Sequence, residues 1–422
     1  MRQIRLSSTG GDRATAYCMS NKIVALPGEY CCTWIDSGGQ NQWALVDVVA
    51  GRILHKGAIG QAGVDNHCGA ALALLGTEVH AITGAHHGPF QHYRMSAINP
   101  GHWEAVANVD GSGTYPSVVA DRAGRLHLAY RSRLTQWTLD YCRWENQQWS
   151  APQTLVVAEK PGYIYWTNAL AATPDDGIHL VFGNTRVDAD EALFYGASHI
   201  ASHDGGITWR DDTNTPLSPP ATVSAIPLIP DAMTGDRVQS HSDQQAHRDP
   251  GPHHFHYQQM LLSNPVMTPD GVLHVVLHNG LTGTAYLMSY ESKGSWTHRP
   301  LSVPTDPLGS RARIHMQSSL AVTPDGGLRA ALMIAPTDDC VWGPPGTDIV
   351  LLEMDAKAAT PRCIFMTPSP PDCARWLPAQ PQGGPPPSGH ALPLLYTQGR
   401  NAGGFSRNKN TTRTDVILAL PD

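Results

Sequence analysis

The feature that most restricts the fold is a short apolar strand carrying a histidine, repeated along the chain. It reads Glu78-Val-His80-Ala-Ile, Arg125-Leu-His127-Leu-Ala-Tyr, Gly177-Ile-His179-Leu-Val-Phe and Val272-Leu-His274-Val-Val-Leu. Leu328-Arg329-Ala-Ala-Leu-Met fills the same place without the histidine. The steps are 47, 52, 95 and 55 residues. Four of the five copies follow a turn built from Asp and Gly, three of them beginning Thr-Pro-Asp at Thr173, Thr268 and Thr323. Strand, tight turn, strand, then a polar stretch is the pattern of antiparallel hairpins. A period of about 50 residues per unit fits a four-stranded propeller blade. A histidine inside such a strand reads first as a buried, hydrogen-bonded structural residue.

Two degenerate copies, Cys31-Cys-Thr-Trp34-Ile and Leu392-Pro-Leu-Leu-Tyr396, bring the count to seven. The expected fold is therefore all-β, a seven-bladed β-propeller forming one domain over residues 1–422. Eight blades is the alternative, because the 95-residue step has room for a blade around Thr222-Val-Ser-Ala-Ile. An insertion at about 211–256 is preferred there, since that stretch is rich in Pro, Asp, Ser and His and lacks alternation. The strand Asp415–Leu420 is expected to complete the first blade and close the ring, hiding its edges.

Composition agrees and excludes some functions. The 422 residues include Gly 40 and Pro 34, with only 15% charged, which suits a turn-rich all-β chain. A formal net charge of −7 argues against nucleic acid as partner. No apolar run approaches the roughly 18–20 residues that span a bilayer, so no membrane partner is expected. Eight cysteines without a CxxC pair read as free thiols. The N-terminus lacks the apolar core of a signal peptide, so the chain is expected to be cytoplasmic or secreted with its leader removed.

Ser202-His-Asp204-Gly-Gly206-Ile-Thr208-Trp209 fits the Asp-box pattern S-x-D-x-G-x-T-W. Its expected role is structural: Asp and Ser bind the turn backbone, Gly permits φ > 0, and Trp packs between blades. Chemistry is densest from Val64 to Arg133. That stretch contains Asp65-Asn66-His67, Gly84-Ala-His86-His87-Gly88, His92-Tyr93-Arg94-Met-Ser96, Thr114-Tyr115-Pro116 and Tyr130-Arg131-Ser132. Gly and Pro flank each group, as loops at one mouth of a propeller require. The set offers a base, an acid and a cation.

In this order and spacing, 20 residues from His67 to His87 and 16 from Tyr115 to Arg131, the chain resembles the propeller-type polysaccharide lyases. These include the ulvan lyases and other lyases of rhamnosyl-glucuronate linkages, within the sialidase-like Asp-box superfamily. The likeness is strongest over residues 25–210. It implies that an acidic polysaccharide or oligosaccharide is cleaved by β-elimination at C4 of a uronic acid. His67 and Tyr115 would handle protons, and Arg131 and His87 would neutralise the carboxylate. Which of His67 and Tyr115 is the base stays open. Arg94, His86, Asn66, Tyr165 and Trp166 are candidate substrate contacts.

No cofactor is expected for the chemistry. His241, His247, His253, His254 and His256 form a dense cluster that suits a structural Zn or Ca site, with Cys340 or a distant His completing it. Two rival functions remain: a sialidase-like glycoside hydrolase, and a non-catalytic glycan-binding propeller.

Overall fold

The computed structural model describes residues 1–133, 136–158, 163–188, 191–229, 260–279, 284–291, 294–302, 313–335, 346–355, 361–365, 373–384, 386, 392–400 and 413–421. These residues are almost entirely strand and turn, with a single 3-10 turn at Val223–Ala225. Among them no helix is long and apolar enough to cross a membrane.

The first sheet runs Ile23–Leu26, Glu29–Ile35, Asn41–Asp47, Arg52–Ile59, each strand paired antiparallel with the next. The following sheet has nine strands because one of them, Glu104–Ala120, serves twice. Its first half pairs with Gly88–Ser96 and its second half with Leu126–Arg133. It is thus the outer strand of one four-stranded unit and the inner strand of the next. Four further sheets begin with Tyr163–Ala172, Met260–Leu262, Arg313–Val322 and Ala374–Ala379. We propose that the nine-stranded sheet is two blades, which makes seven units among the described residues.

The ring closes in the opposite sense to the sequence expectation. Thr414–Leu420 belongs to the last sheet, and the N-terminal strand Arg2–Gly10 pairs with it as the outermost strand. The first sheet already has four strands of its own. Either terminal strand satisfies an alternating pattern, and only the long-range pairing decides which edge each covers.

The hydrophobic clusters lie between neighbouring sheets. Val24, Cys31 and Trp43 of the first sheet pack on Leu72, Val79 and Met95 of the second. Leu139 and Tyr141 pack on Leu180, Phe182 and Trp209 one unit further on. Strand alternation thus gives each sheet two apolar faces, each buried against a neighbour.

His80, His127, His179 and His274 all fall near the start of the second strand of their units and are 0–8% exposed. Each bonds a side chain of its third strand: His92, Tyr141, His199 and Ser289 respectively, at 2.7–2.8 Å. Arg329 occupies the same place and reaches Gln380 and the Pro393 carbonyl of the next sheet. The Thr-Pro-Asp turns repeat one geometry, with the Thr amide bonding the carbonyl four residues on at 2.8–3.0 Å. In the Asp box, Asp204 Oδ1 accepts from the amides of Ile207 and Thr208, and Ser202 Oγ accepts from Gly206 N. Gly206 has φ 84, and a Cβ there would meet the Tyr141 hydroxyl at 1.7 Å, so glycine is required twice over.

The 211–256 insertion is ordered where described. Ala221–Thr222 adds a parallel edge strand to Gln153–Val157, and Ile229 N bonds the Ala197 carbonyl. The Thr222 region supplies this two-residue strand and a 3-10 turn rather than a blade. The seven described cysteines are free thiols.

Candidate functional site

Two kinds of connection meet at one end of the ring: those entering an inner strand, and those joining the second strand to the third. His67 lies just before the inner strand Ala71–Leu75, and Tyr115 in the inner half of Glu104–Ala120. His86 and His87 sit between Glu78–Thr83 and Gly88–Ser96, while Arg131 is near the end of Leu126–Arg133. The antiparallel alternation therefore carries all five to one face.

Local backbone geometry aims them. Pairing between Leu126–Arg133 and the long strand slips between Ala129 and Arg131, so Tyr115 and Pro116 form a bulge opposite Tyr130. Tyr115 has φ 60 and His87 φ 66, a left-handed conformation rare for such residues. His87 is held there by its amide, which bonds the Gly113 carbonyl at 3.0 Å. Strained backbone of this kind concentrates at functional sites because ordinary strand geometry would point the side chain elsewhere.

The side chains converge. The His67 and Tyr115 rings lie 5.6 Å apart, His67 stacks on His86 at 4.1 Å, and His86 meets His87 at 4.4 Å. The Arg131 guanidinium carbon lies 4.5 Å from the Tyr115 ring centre and 4.6 Å from that of Trp137. His87 also meets Trp137 at 5.3 Å. Stacking between two rings holds the planar guanidinium in one orientation. Exposure is small: Arg131 0%, Tyr115 3% and His67 7%.

Asp65 organises the imidazoles. Its Oδ1 lies 3.0 Å from His67 Nδ1 and its Oδ2 2.5 Å from His86 Nδ1. Burial works to raise the Asp65 carboxyl, but the hydrogen bonds from His67 and His86 outweigh it and hold the group ionised. Burial pushes His67 down to about 3, against the opposing pull of Asp65. Burial likewise lowers His87 to about 4, with His86, Arg131 and Arg133 adding to the effect. Both rings are neutral near pH 7 and can accept a proton. Asp65, His67 and His86 also offer ligand atoms within 4.8 Å of one another, close enough for a metal ion.

Two contributors were missed from sequence. The segment 11–20 joins the last sheet to the first and is buried throughout. It crosses the centre of the ring: Ser20 Oγ bonds the Pro116 carbonyl, Cys18 Sγ the Leu262 carbonyl, and Thr15 Oγ1 the Leu377 carbonyl. Tyr17, from this segment, stacks on His67 at 5.7 Å and meets Tyr115 edge-on at 4.8 Å. Arg13 donates to the Tyr17 hydroxyl at 2.9 Å and to Asn66 Oδ1 at 3.3 Å.

Other candidates separate from the cluster. Asn66 is 1% exposed and bonded to Arg13 and Asp12. Arg94 lies apart from the cluster. It lies six residues beyond Gly88, roughly 20 Å along an extended strand, and pairs with Glu104 and Glu78 near the other face. The side chains of Tyr165 and Trp166, and the whole group His241, His247, His253, His254, His256 and Cys340, lie outside the described residues. A cavity of ≈ 550 Å³ lined by Leu72, Val119, Thr173, Thr268 and Gln382 lies on the side of the Thr-Pro-Asp turns, apart from His67, His86 and His87.

Radial sheets with their cores between them, a ring closed by the first and last strands, and an Asp box define a β-propeller of the BNR-repeat class. The chain belongs to the BNR repeat-containing family, which matches residues 34–303. No curated protein matches the sequence. Among solved structures it is similar to a PL25 ulvan lyase bound to -[GlcA(1-4)Rha3S]-, with TM-score 0.68, 10% identity, and coverage of 99% of this chain and 96% of that one. It is also similar to the polysaccharide lyase Uly1, with TM-score 0.58, 12% identity, and coverage of 100% and 99%. A protein of unknown function from Dyadobacter fermentans gives TM-score 0.50 at 11% identity, covering 99% of each chain.

Proposed function

We propose that this chain is a polysaccharide lyase that cleaves the bond at C4 of a uronic acid by β-elimination. The observation that carries the reading is the convergence of His67, His87, Tyr115 and Arg131 on one face, with Arg131 4.5 Å and the His67 ring 5.6 Å from the Tyr115 ring centre. The reaction needs this set. The C5 hydrogen lies α to a carboxylate and is hardly acidic while that group is anionic. A fixed guanidinium and an imidazole donor stabilise the enolate-like intermediate. A base takes the C5 proton, the C4–O bond breaks, an acid protonates the departing oxygen, and a C4–C5 double bond remains. The similarity to a PL25 ulvan lyase bound to a glucuronate-containing glycan, and to a second polysaccharide lyase, supports this choice of substrate class.

One observation favours a second reading, a glycan-binding propeller without turnover. Arg131 is fully buried between two rings, so a substrate carboxylate must displace packing to reach it. Incubating the protein with a panel of uronate-containing polysaccharides decides between them. New near-ultraviolet absorbance from an unsaturated uronate is the expected result. New reducing ends without that absorbance would indicate a hydrolase, and binding without either product would indicate a lectin-like role.

A further inference from the structure

We propose that Asp65 is the positioning residue of this site, a single carboxylate that fixes the tautomer of both His67 and His86. The inference rests on the lyase reading only in naming what His67 then does. An ionised carboxylate can accept but not donate, so each nitrogen it contacts must carry a proton. Those nitrogens are His67 Nδ1 at 3.0 Å and His86 Nδ1 at 2.5 Å. In its neutral form each ring therefore keeps its lone pair on Nε2. Asp65 is itself held by the turn it starts, since its Oδ1 also accepts from the His67 backbone amide at 2.9 Å. His67 is further confined between the rings of Tyr17 and His86, at 5.7 and 4.1 Å.

This assigns the step that the residue pattern left open. A ring with its Nδ1 proton engaged by a carboxylate is built to take a proton at Nε2, and the carboxylate stabilises the imidazolium that results. His67 is then the base that removes the C5 proton, and Tyr115 is the group that protonates the departing oxygen. A metal ion held by Asp65, His67 and His86 is the competing use of the same atoms. The 2.5 Å contact between Asp65 and His86 disfavours it, because two ligands of one tetrahedral zinc sit roughly 3.3 Å apart at ordinary bond lengths.

The test is the variant Asp65→Asn with two independent readouts. Long-range proton–nitrogen spectra of 15N-histidine-labelled protein, assigned by difference with His67→Gln and His86→Gln, report the tautomers with no substrate present. The wild type should show both rings protonated at Nδ1, and Asp65→Asn should shift His67 toward the Nε2–H form, since the amide can donate to Nδ1. With a uronate polymer that the wild type cleaves, kcat should fall about 10³–10⁴-fold, the scale seen when an orienting carboxylate becomes an amide. KM should stay within a few-fold, and the melting temperature should hold.

A wild-type His67 protonated at Nε2 would overturn the proposal. So would an Asp65→Asn enzyme within 10-fold of wild type, or one equivalent of metal in the purified protein that Asp65→Asn loses. If no uronate polymer is cleaved at all, the lyase reading fails, while the tautomer spectra still decide the role of Asp65.

Discussion

The two faces of the ring use histidine in opposite ways. On the face of the Thr-Pro-Asp turns, His80, His127, His179 and His274 each bond a side chain of their own sheet. On the other face, His67 comes from one connection and His86 and His87 from another, and they meet around Asp65. Burial does not separate the groups: it lowers His80 and His274 to about 4, much as it lowers His87 to about 4 and His67 to about 3. What separates them is the backbone and the origin of the partners. The structural set sits in regular strand. The candidate set includes left-handed residues at His87 and Tyr115 and draws partners from separate connections and from the segment crossing the channel. A perturbed titration alone is thus a poor guide to function in a repeat protein.

The contrast breaks most visibly at Tyr115 and Arg131. Tyr115→Phe should lower kcat by about 10²–10⁴-fold, the usual worth of a general acid or base, with KM little changed. Arg131→Ala should raise KM as well as lower kcat, because a carboxylate clamp acts in ground state and transition state alike. Arg131→Lys should recover little, since an ammonium cannot stack between Tyr115 and Trp137 as a planar fork does. Steady-state kinetics followed by near-ultraviolet absorbance measure all three. Full activity in Tyr115→Phe would remove the distinction between the faces.

The opposite pattern is expected at His127. Its ring bonds Asp121 Oδ2 at 2.9 Å and the Tyr141 hydroxyl at 2.7 Å, with the histidine and Asp121 side chains fully buried. His127→Ala leaves both partners exposed to an apolar cavity and should cost roughly 2–4 kcal/mol in urea unfolding. Turnover per folded molecule should be unchanged. A loss of kcat without a loss of stability would place His127 in the wrong group.

Much of this division was legible beforehand. The period near 50 residues, the Thr-Pro-Asp turns of three units and the Asp box at Ser202–Trp209 are local signals. The ordered set His67, His87, Tyr115 and Arg131 was legible because blade connections at one face recur in chain order. What was not legible depends on long-range pairing. Nothing local tells that Arg2–Gly10, rather than Thr414–Leu420, is the outermost strand. Arg13 and Tyr17 escaped because their segment has neither strand alternation nor helix periodicity, being shaped by the channel it fills. The distance of Arg94 from the cluster was not legible, because residue type says nothing about which end of a strand it occupies.

Acid tests the shared property of the two sets. The folded values of His67, His80, His87, His92 and His274 lie at about 3–4, below the ordinary histidine value of about 6.5. Between these values the unfolded chain binds more protons than the folded one, so stability falls as pH falls. The contribution is fully present above about pH 6.5 and is lost progressively toward pH 3–4. Unfolding midpoints measured from pH 7 to pH 4 should therefore decline steadily. His80→Gln should flatten that slope, because it removes one of the groups. A profile unchanged by that substitution would mean that burial at His80 does not suppress its protonation.

The smallest effect is expected at Arg94, which separates position from residue type. An arginine beside Tyr93 and two residues from His92 invites a role in binding an anionic sugar, yet its strand carries it away from the site. Its partners are Glu104, with its side chain 60% exposed, and Glu78, 41% exposed, at 3.0 and 3.7 Å. Exposed pairs of this kind contribute about 0–1 kcal/mol, because water already solvates both charges and ordering two long side chains costs entropy. Arg94→Ala should accordingly shift unfolding by less than about 1 kcal/mol, and less still at high salt. Activity should stay within twofold, with KM for an acidic polymer unaltered. A tenfold rise in KM would show that the polymer reaches the third strand of this blade, and the division into one chemical and one structural face would then have to be redrawn around it.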